Sequence, residues 1–141
     1  PRELFANPVN LFVAGFIGSP AINLLAATVT ENGARHGSLT VPLTSEQRSA
    51  LTTDQVTIGV RPEAWSQQEP GTGGLDVTVL VIEELGSESF LYCTEDAADP
   101  TAPSIVARAE GLSSTAKGDR LGLVPRPDRL HLFDSATGAR L

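Results

Sequence analysis

The chain has 141 residues, of which 40% are hydrophobic and 19% are charged, and its formal net charge is −7. This composition favours a packed domain and excludes an intrinsically disordered chain. Seventeen acidic against ten basic residues argue against binding to nucleic acid or anionic lipid, which needs basic residues, and the single cysteine excludes an internal disulfide.

The first predicted element is a short N-terminal helix that ends before Gly18-Ser19-Pro20. Asn7 is a suitable N-cap for it. Five apolar residues recur at helical spacing and therefore share one face. This set, the apolar stripe, consists of Val9, Phe12, Val13, Phe16 and Ile17. Either the stripe packs on the residues that follow it, or it belongs to a neighbouring domain. A second copy of the chain is a candidate to cover it.

After Pro20 the apolar residues alternate with a period of two, which predicts strands with one buried face. Alternation predicts strands at 39–43 and 56–60. The run 77–82 is apolar on both faces and predicts a central strand. A turn at 85–88 leads into a strand at 90–93, and further strands are predicted at 104–109, 121–124 and 130–133.

Two polar stretches predict loops, at 67–74 (QQEPGTGG) and at 95–103 (EDAADPTAP). The first is rich in glycine, but no Lys-Ser or Lys-Thr follows, so it is a linker rather than a phosphate-binding loop. Short strands at this spacing favour a sandwich or a small barrel. Two β-units divided near Gln67 remain an alternative.

No group of residues predicts catalysis. Glu83 and Glu84 are adjacent on a strand, so their carboxylates point to opposite faces and cannot serve one substrate. His36 falls in a turn region and His131 is expected to face outward, without the spacing of a metal site. Cys93 is expected to be a small buried hydrophobe. The sequence therefore predicts no catalytic residue, no cofactor-binding residue and no metal ligand in this chain.

Several segments together resemble one known family. The block 8–25 (PVNLFVAGFIGSPAINLL) and the leading 1–5 (PRELF) are similar to a junction in the ATP-binding subunits of maltose-type ABC importers. At that junction the nucleotide-binding domain ends and the regulatory domain begins. Later segments resemble further blocks of this family in the same order, across nearly the whole chain: 58–63 (IGVRPE), 79–88 (VLVIEELGSE), 122–125 (GLVP) and 129–134 (RLHLFD).

The resemblance implies a mainly β fold, a small OB-like barrel of the transport-associated (TOBE) type with a short N-terminal helical segment. Residues 1–20 would be the last helix and linker of a nucleotide-binding domain, and 21–141 the regulatory β-domain. The Walker A, signature and Walker B motifs are absent here, so this chain is not expected to be an enzyme. The parent subunit would bind ATP and Mg²⁺ and drive import of sugars or glycerol phosphate.

The resemblance also implies partners and a location. Family members form homodimers, contact the nucleotide-binding domain of the same polypeptide, and act indirectly on ABC permease subunits. They lie in the cytoplasm, peripheral on the inner face of the cell membrane, and some receive a regulatory protein. The predicted interface residues are the apolar stripe together with Arg61, Pro62, Glu63, Gly86, Ser87 and Glu88.

The sequence is compatible with alternatives at two points. Pro62 restricts Arg61 to an extended conformation, from which its guanidinium could pair with a neighbouring domain or locally with Glu63. The alternative function is a sensor of oxyanions or small ligands, for which the turns at Ser87, Ser89 and Lys117 could supply donors. The net charge of −7 argues against an oxyanion.

Overall fold

A computed structural model describes residues 22–110 and 115–141 of the chain. The described chain forms two five-stranded antiparallel sheets and one short helix, which confirms the prediction of a mainly β fold. The predicted N-terminal helix, with its apolar stripe, lies outside the described residues.

The first sheet has the strand order β10-β4-β1-β2-β3. Its strands are β1 (Asn23–Thr30), β2 (Gly33–His36), β3 (Leu39–Val41), β4 (Gln55–Val60) and β10 (His131–Asp134). Helix α1 (Ser45–Ala50) connects β3 to β4. It buries no side chain, and a capping box holds its start: Gln47 N–H donates to Thr44 Oγ1, and Thr44 N–H donates to Gln47 Oε1.

The second sheet has the order β5-β9-β6-β7-β8. Its strands are β5 (Trp65–Gln68), β6 (Leu75–Glu84), β7 (Glu88–Thr94), β8 (Ile105–Glu110) and β9 (Arg120–Pro125). The predicted central strand is β6, in the middle of the sheet. It is not buried on both faces, because Leu80 is 40% and Val81 54% exposed beside a bulge that disturbs the alternation.

The chain crosses between the sheets twice, each time through an Arg-Pro-acid turn. Pro62–Ala64 follows β4, and Pro127–Arg129 follows β9. The two turns adjoin, since Arg126 N–H donates to Ala64 O over 2.8 Å. The first change of sheet lies at 61–64, ahead of the predicted division near Gln67, which falls within β5, and β10 returns to the first sheet. One apolar core includes residues of both sheets, such as Ile58 and Leu91.

Polar side chains also join the sheets at the β2–β3 turn. Ser38 Oγ donates to Gly74 O (2.8 Å) and accepts from Asp76 N–H (2.9 Å). His36 ends β2, and its Nε2 lies 2.7 Å from Glu95 Oε2 at the start of the acidic loop. His36, which was predicted to lie in a turn region, thus ends a strand and connects the first sheet to the loop after β7.

Candidate interaction surfaces

The Arg61-Pro62-Glu63 turn has the backbone predicted for it. Arg61 is extended (φ −71°, ψ 153°) ahead of the buried Pro62, and the turn lies beside β8. Partial burial lowers the pKa of the Arg61 guanidinium, and the carboxylate of Glu63 opposes that shift. Glu63, the local partner that the sequence suggested for Arg61, is therefore close enough to influence the pKa of the Arg61 guanidinium.

The turn at Gly86 and Ser87 connects β6 to β7. Leu85 N–H donates to Glu88 O (2.8 Å), and Gly86 has φ +83°, which glycine adopts without steric cost. Glu88 Oε2 pairs with Arg108 Nε of β8 at 3.0 Å, with both side chains about one third exposed. A pair this exposed contributes about 0–1 kcal/mol. The predicted interface residues of the Arg61 turn and of the Gly86 turn thus both lie beside β8. The apolar stripe, the third predicted group, lies outside the described residues.

The end of β6 next to this turn exposes apolar side chains. Leu80, Val81 and Leu85 are 40%, 54% and 52% exposed. The register of β6 with β9 stops at Thr78, so beyond the bulge β6 pairs with β7 alone among the described strands. An exposed strand edge with apolar side chains is a common place for another chain to add.

Asn23 connects the two sheets through its buried amide. Its Nδ2 donates to Val60 O (2.9 Å) and to Val106 O (2.8 Å), and its Oδ1 accepts from Val106 N–H (2.8 Å). The side chain therefore pairs with the outer edge of β8 as another strand would. In the sequence, Asn23 stands out only as a member of the junction block 8–25. The available signal was a polar residue among apolar ones at the start of a strand.

The closing strand β10 buries both of its polar side chains. Asp134 is 1% exposed and its carboxylate accepts from Thr52 N–H and Oγ1, both at 2.8 Å, and from Ala136 N–H at 2.8 Å. These hydrogen bonds, those from Thr52 foremost, lower the pKa of Asp134. The carboxylate thus ties β10 to the segment ahead of β4.

His131 lies on the side of β10 opposite the core residue Leu132, as predicted, but it is buried, with only 6% of its surface exposed. The alternation with Leu130 and Leu132 indicated the face correctly and the exposure wrongly, because every residue of β10 is buried. Burial lowers the pKa of His131, and the charges of Arg140 and Arg61 lower it further. Its Nδ1 is buried and has no hydrogen-bond partner among the described residues.

The glycine-rich loop is not a phosphate cradle. Gly71 N–H donates to the Asp76 carboxylate at 2.9 Å, and Thr72 Oγ1 donates to Glu69 O at 2.6 Å. These donors are already satisfied, and a phosphate would meet a like charge at Asp76. Within this loop, which connects β5 to β6, these two donors are therefore not available to a phosphate.

The proposed oxyanion donors do not converge. Ser87 and Ser89 lie at the β6–β7 turn, and Ser89 is buried opposite Glu84. The turn at Lys117 instead lies beside Val79, to which Gly118 N–H donates. Five residues of strand separate Val79 from Glu84, a distance of about 17 Å. Nothing in this geometry favours an oxyanion sensor.

Neither a metal-binding cluster nor a membrane-spanning helix is found among the described residues. Across 22–110 and 115–141, no three His, Cys, Asp or Glu side chains are grouped to hold a metal ion. Cys93 is buried as predicted, and burial raises the pKa of its thiol to about 12. In the same part of the chain, no helix is long and apolar enough to span a membrane.

Two family models match the chain, and their boundary falls where the chain changes sheet. One, described as the MalK OB fold domain, matches residues 18–65, which include β1 to β4. The other, described as the TOBE domain, matches residues 58–133, from the end of β4 almost to the end of β10.

Similar proteins include several ATP-binding subunits. The chain is 37% identical to the diacetylchitobiose uptake system ATP-binding protein MsiK of Streptomyces coelicolor, and covers 42% of it. It is 40% identical to the sn-glycerol-3-phosphate import ATP-binding protein UgpC of Psychromonas ingrahamii, and covers 38% of it. In both comparisons the whole of this chain is aligned. The chain thus spans about two fifths of the length of these relatives.

Proposed function

The chain belongs to the TOBE-domain family and carries the MalK-type OB fold, and we propose on that premise that it is the regulatory part of an ABC importer's ATP-binding subunit. The transported solute would be a sugar or glycerol phosphate, as the names of the relatives indicate for those proteins.

One observation carries this proposal. The whole chain aligns at 37–40% identity with two such subunits while covering only about two fifths of each. The shared part is therefore the two-sheet β-structure, together with residues 1–21. Fold alone does not assign such a domain a reaction.

In this proposal the chain contributes no catalytic group of its own. ATP and Mg²⁺ would be held by the nucleotide-binding domain of the same polypeptide, to which residues 1–20 would belong as its last helix and linker. Residues 21–141 would form the regulatory domain. The Arg61–Glu63 turn would then be presented to the partner domain. The assembly would lie in the cytoplasm, on the inner face of the cell membrane. It would act indirectly on permease subunits and could bind a regulatory protein.

The experiment that tests this function is a chimera. The matching C-terminal part of UgpC from Psychromonas ingrahamii is replaced by this chain, and sn-glycerol-3-phosphate import is measured in cells that lack the native subunit. We expect the chimera to restore import, whereas UgpC truncated before the junction does not. A chimera that is folded and hydrolyses ATP, yet imports no better than the truncated subunit, would overturn the proposal.

We also propose that two copies of the chain associate through the exposed end of β6. Leu80, Val81 and Leu85 expose apolar area beside an edge of β6 that pairs with no other described strand, next to the predicted interface residues Gly86, Ser87 and Glu88. Burial of this area in a second copy is favourable by roughly 25 cal/mol for each Å² removed from water, and a symmetric dimer would use the same patch twice.

Light scattering at high micromolar concentration tests this dimer. The unmodified chain is expected to have the mass of a dimer, and Val81→Asp with Leu85→Asp is expected to have the mass of a monomer. Thr40→Asp, an exposed position of the first sheet, is the matched control and should stay dimeric. A monomeric unmodified chain would contradict the proposal.

A further inference from the structure

His36 forms hydrogen bonds through both of its ring nitrogens, and both partners are oxygen atoms. Its Nδ1 lies 2.5 Å from Ala26 O of β1, and its Nε2 lies 2.7 Å from Glu95 Oε2. The side chains of His36 and Glu95 are 19% and 31% exposed, so water reaches this contact only in part. Glu95 directly follows β7 and begins the acidic loop at 95–103, so the contact attaches this loop to the first sheet.

The chemistry of the two partners determines how many hydrogens this contact contains. A backbone carbonyl oxygen only accepts, so Nδ1 must carry a hydrogen and donate it to Ala26 O. Nε2 of such a ring is an acceptor unless a second proton is bound, and an ionised carboxylate is also only an acceptor. The contact between Nε2 and Glu95 Oε2 therefore needs one further proton. Without that proton, two lone pairs face each other and the hydrogen bond is lost.

The Glu95 carboxyl group lies in a narrow space beside the ring. A Cβ atom on Gly37 would lie 2.7 Å from Glu95 Oε1 and 3.6 Å from Leu75 Cδ1. The carboxyl group thus lies against the backbone of the β2–β3 turn, close to β6, in space that a side chain at position 37 would need. This packing orders the carboxyl group next to His36, where it responds to the protonation of the ring.

Three other charged residues adjoin the contact, and each makes a different hydrogen bond. They are Arg35 beside His36, Asp76 at the start of β6 and Asp96 beside Glu95. The Arg35 guanidinium donates to a backbone carbonyl of the β2–β3 turn, and the two aspartates accept from backbone N–H groups of the adjacent loops. β1 and β3, which also adjoin His36, contain no ionisable residue. Among the described residues, Glu95 is therefore the acid that shares a proton with His36.

We propose that the His36–Glu95 contact is a pH-dependent switch that attaches the acidic loop to the first sheet at mildly acidic pH and releases it at mildly basic pH. The attached state holds one proton more than a released state with a neutral ring and a carboxylate. Protons therefore favour attachment, and their removal favours release. Histidine side chains change charge between about pH 5 and 8, and this is the range in which we expect release. The inference goes beyond the proposed function and does not depend on it.

The loop has further hydrogen bonds that do not need this proton. Thr94 Oγ1 donates to Asp96 O at 3.2 Å, and the Asp99 carboxylate accepts from Thr101 N–H at 2.9 Å and from Thr101 Oγ1 at 2.6 Å. The hydrogen bonds from Thr101 lower the pKa of Asp99, so this carboxylate stays ionised where His36 changes charge. Release therefore concerns the attachment of the loop and leaves its internal turns in place.

Backbone nitrogen-15 relaxation of the whole chain tests the switch at about pH 5.5 and about pH 8.5, on either side of neutrality. In the unmodified chain, the order parameters of amides between 96 and 102 should fall from about 0.85 to below about 0.6 as the pH rises. In Glu95→Gln they should stay high at both pH values, because a glutamine amide can donate to the neutral ring and accept from the charged one. The matched control Asp96→Asn removes a carboxylate from the same loop and should respond to pH as the unmodified chain does.

Two results would overturn the proposal. One is equal order of the loop at both pH values in the unmodified chain. The other is a pH dependence that persists in Glu95→Gln, which would assign the change to another ionisable group. The amides of β1 and β7 should stay ordered throughout, and a loss of order there would equally contradict a change confined to the loop. None of these readouts depends on ATP hydrolysis or import, so the test can fail without affecting the proposed function.

Discussion

Replacing Asn23 with alanine is expected to lower the free energy of unfolding by about 2–4 kcal/mol, because it leaves buried backbone groups on both sheets without their hydrogen-bond partner. Three hydrogen bonds disappear: two from its Nδ2, to Val60 O and Val106 O, and one from Val106 N–H to its Oδ1. Val106 lies on β8, whose other side pairs with β7, so no other strand of the described chain is placed to bond these groups. Denaturant unfolding followed by circular dichroism measures the loss.

Two further variants separate this effect from a general loss of polarity. Asn32→Ala, at an exposed turn position, should change stability by no more than about 0.5 kcal/mol. Asn23→Asp keeps the acceptor for Val106 N–H but loses both donors, and it places a carboxylate near two carbonyl oxygens. We therefore expect it to be at least as destabilising as Asn23→Ala. If Asn23→Ala is as stable as Asn32→Ala, the amide does not hold the sheets together.

Replacing Gly33 with alanine is expected to cost about 4 kcal/mol, the sum of backbone strain and overpacking. Gly33 begins β2 with φ +137°, a conformation that side chains disfavour. A Cβ there would lie 2.1 Å from Val41 O and 2.8 Å from Val41 C, both backbone atoms of the paired strand β3. Relief would require β2 and β3 to separate.

Gly71→Ala is the matched control for Gly33→Ala. Gly71 also has a positive φ (+81°), but a Cβ there would meet nothing within 4 Å. The control should lose only about 1–2 kcal/mol, from the left-handed conformation itself. The difference between the two variants, from thermal or denaturant unfolding, isolates the steric conflict with β3. Equal losses of unfolding free energy in the two variants would show that β2 and β3 can move apart at little cost.

Much of the fold could be predicted from the sequence, and the misses have physical reasons. β4 was found because Val56, Ile58 and Val60 alternate with more polar residues. β1 was missed because its outward positions, Leu24 and Ala26, are also apolar, so the alternation of burial is not an alternation of polarity. β5 was missed because it is an edge strand that exposes three of its four residues.

The helix α1 could have been found from one local signal. Thr44 and Gln47 have the spacing of a capping box, and the structure forms both of its hydrogen bonds. The segment has no apolar face, so a search for helical periodicity alone does not detect it. Local capping, rather than burial, determines this element.

The interaction residues were less predictable than the strands. The extended Arg61 followed directly from Pro62, a local steric effect. Asn23 and Asp134 were missed because their hydrogen-bond partners lie far away in the sequence, as with Thr52 for Asp134. Whether a polar residue in a strand is buried depends on what packs over it, and periodicity contains no information about that second layer.

The order of the strands along the chain has a consequence for how the protein is made. Four strands of the first sheet are synthesised first, then the entire second sheet, and only then β10, which completes the first sheet beside β4. Until then β4 is an open edge with valine and isoleucine on one side, a template on which nascent chains could aggregate. We therefore expect the first sheet to be completed only once β10 has left the ribosome, at the slow rate typical of non-local β pairing.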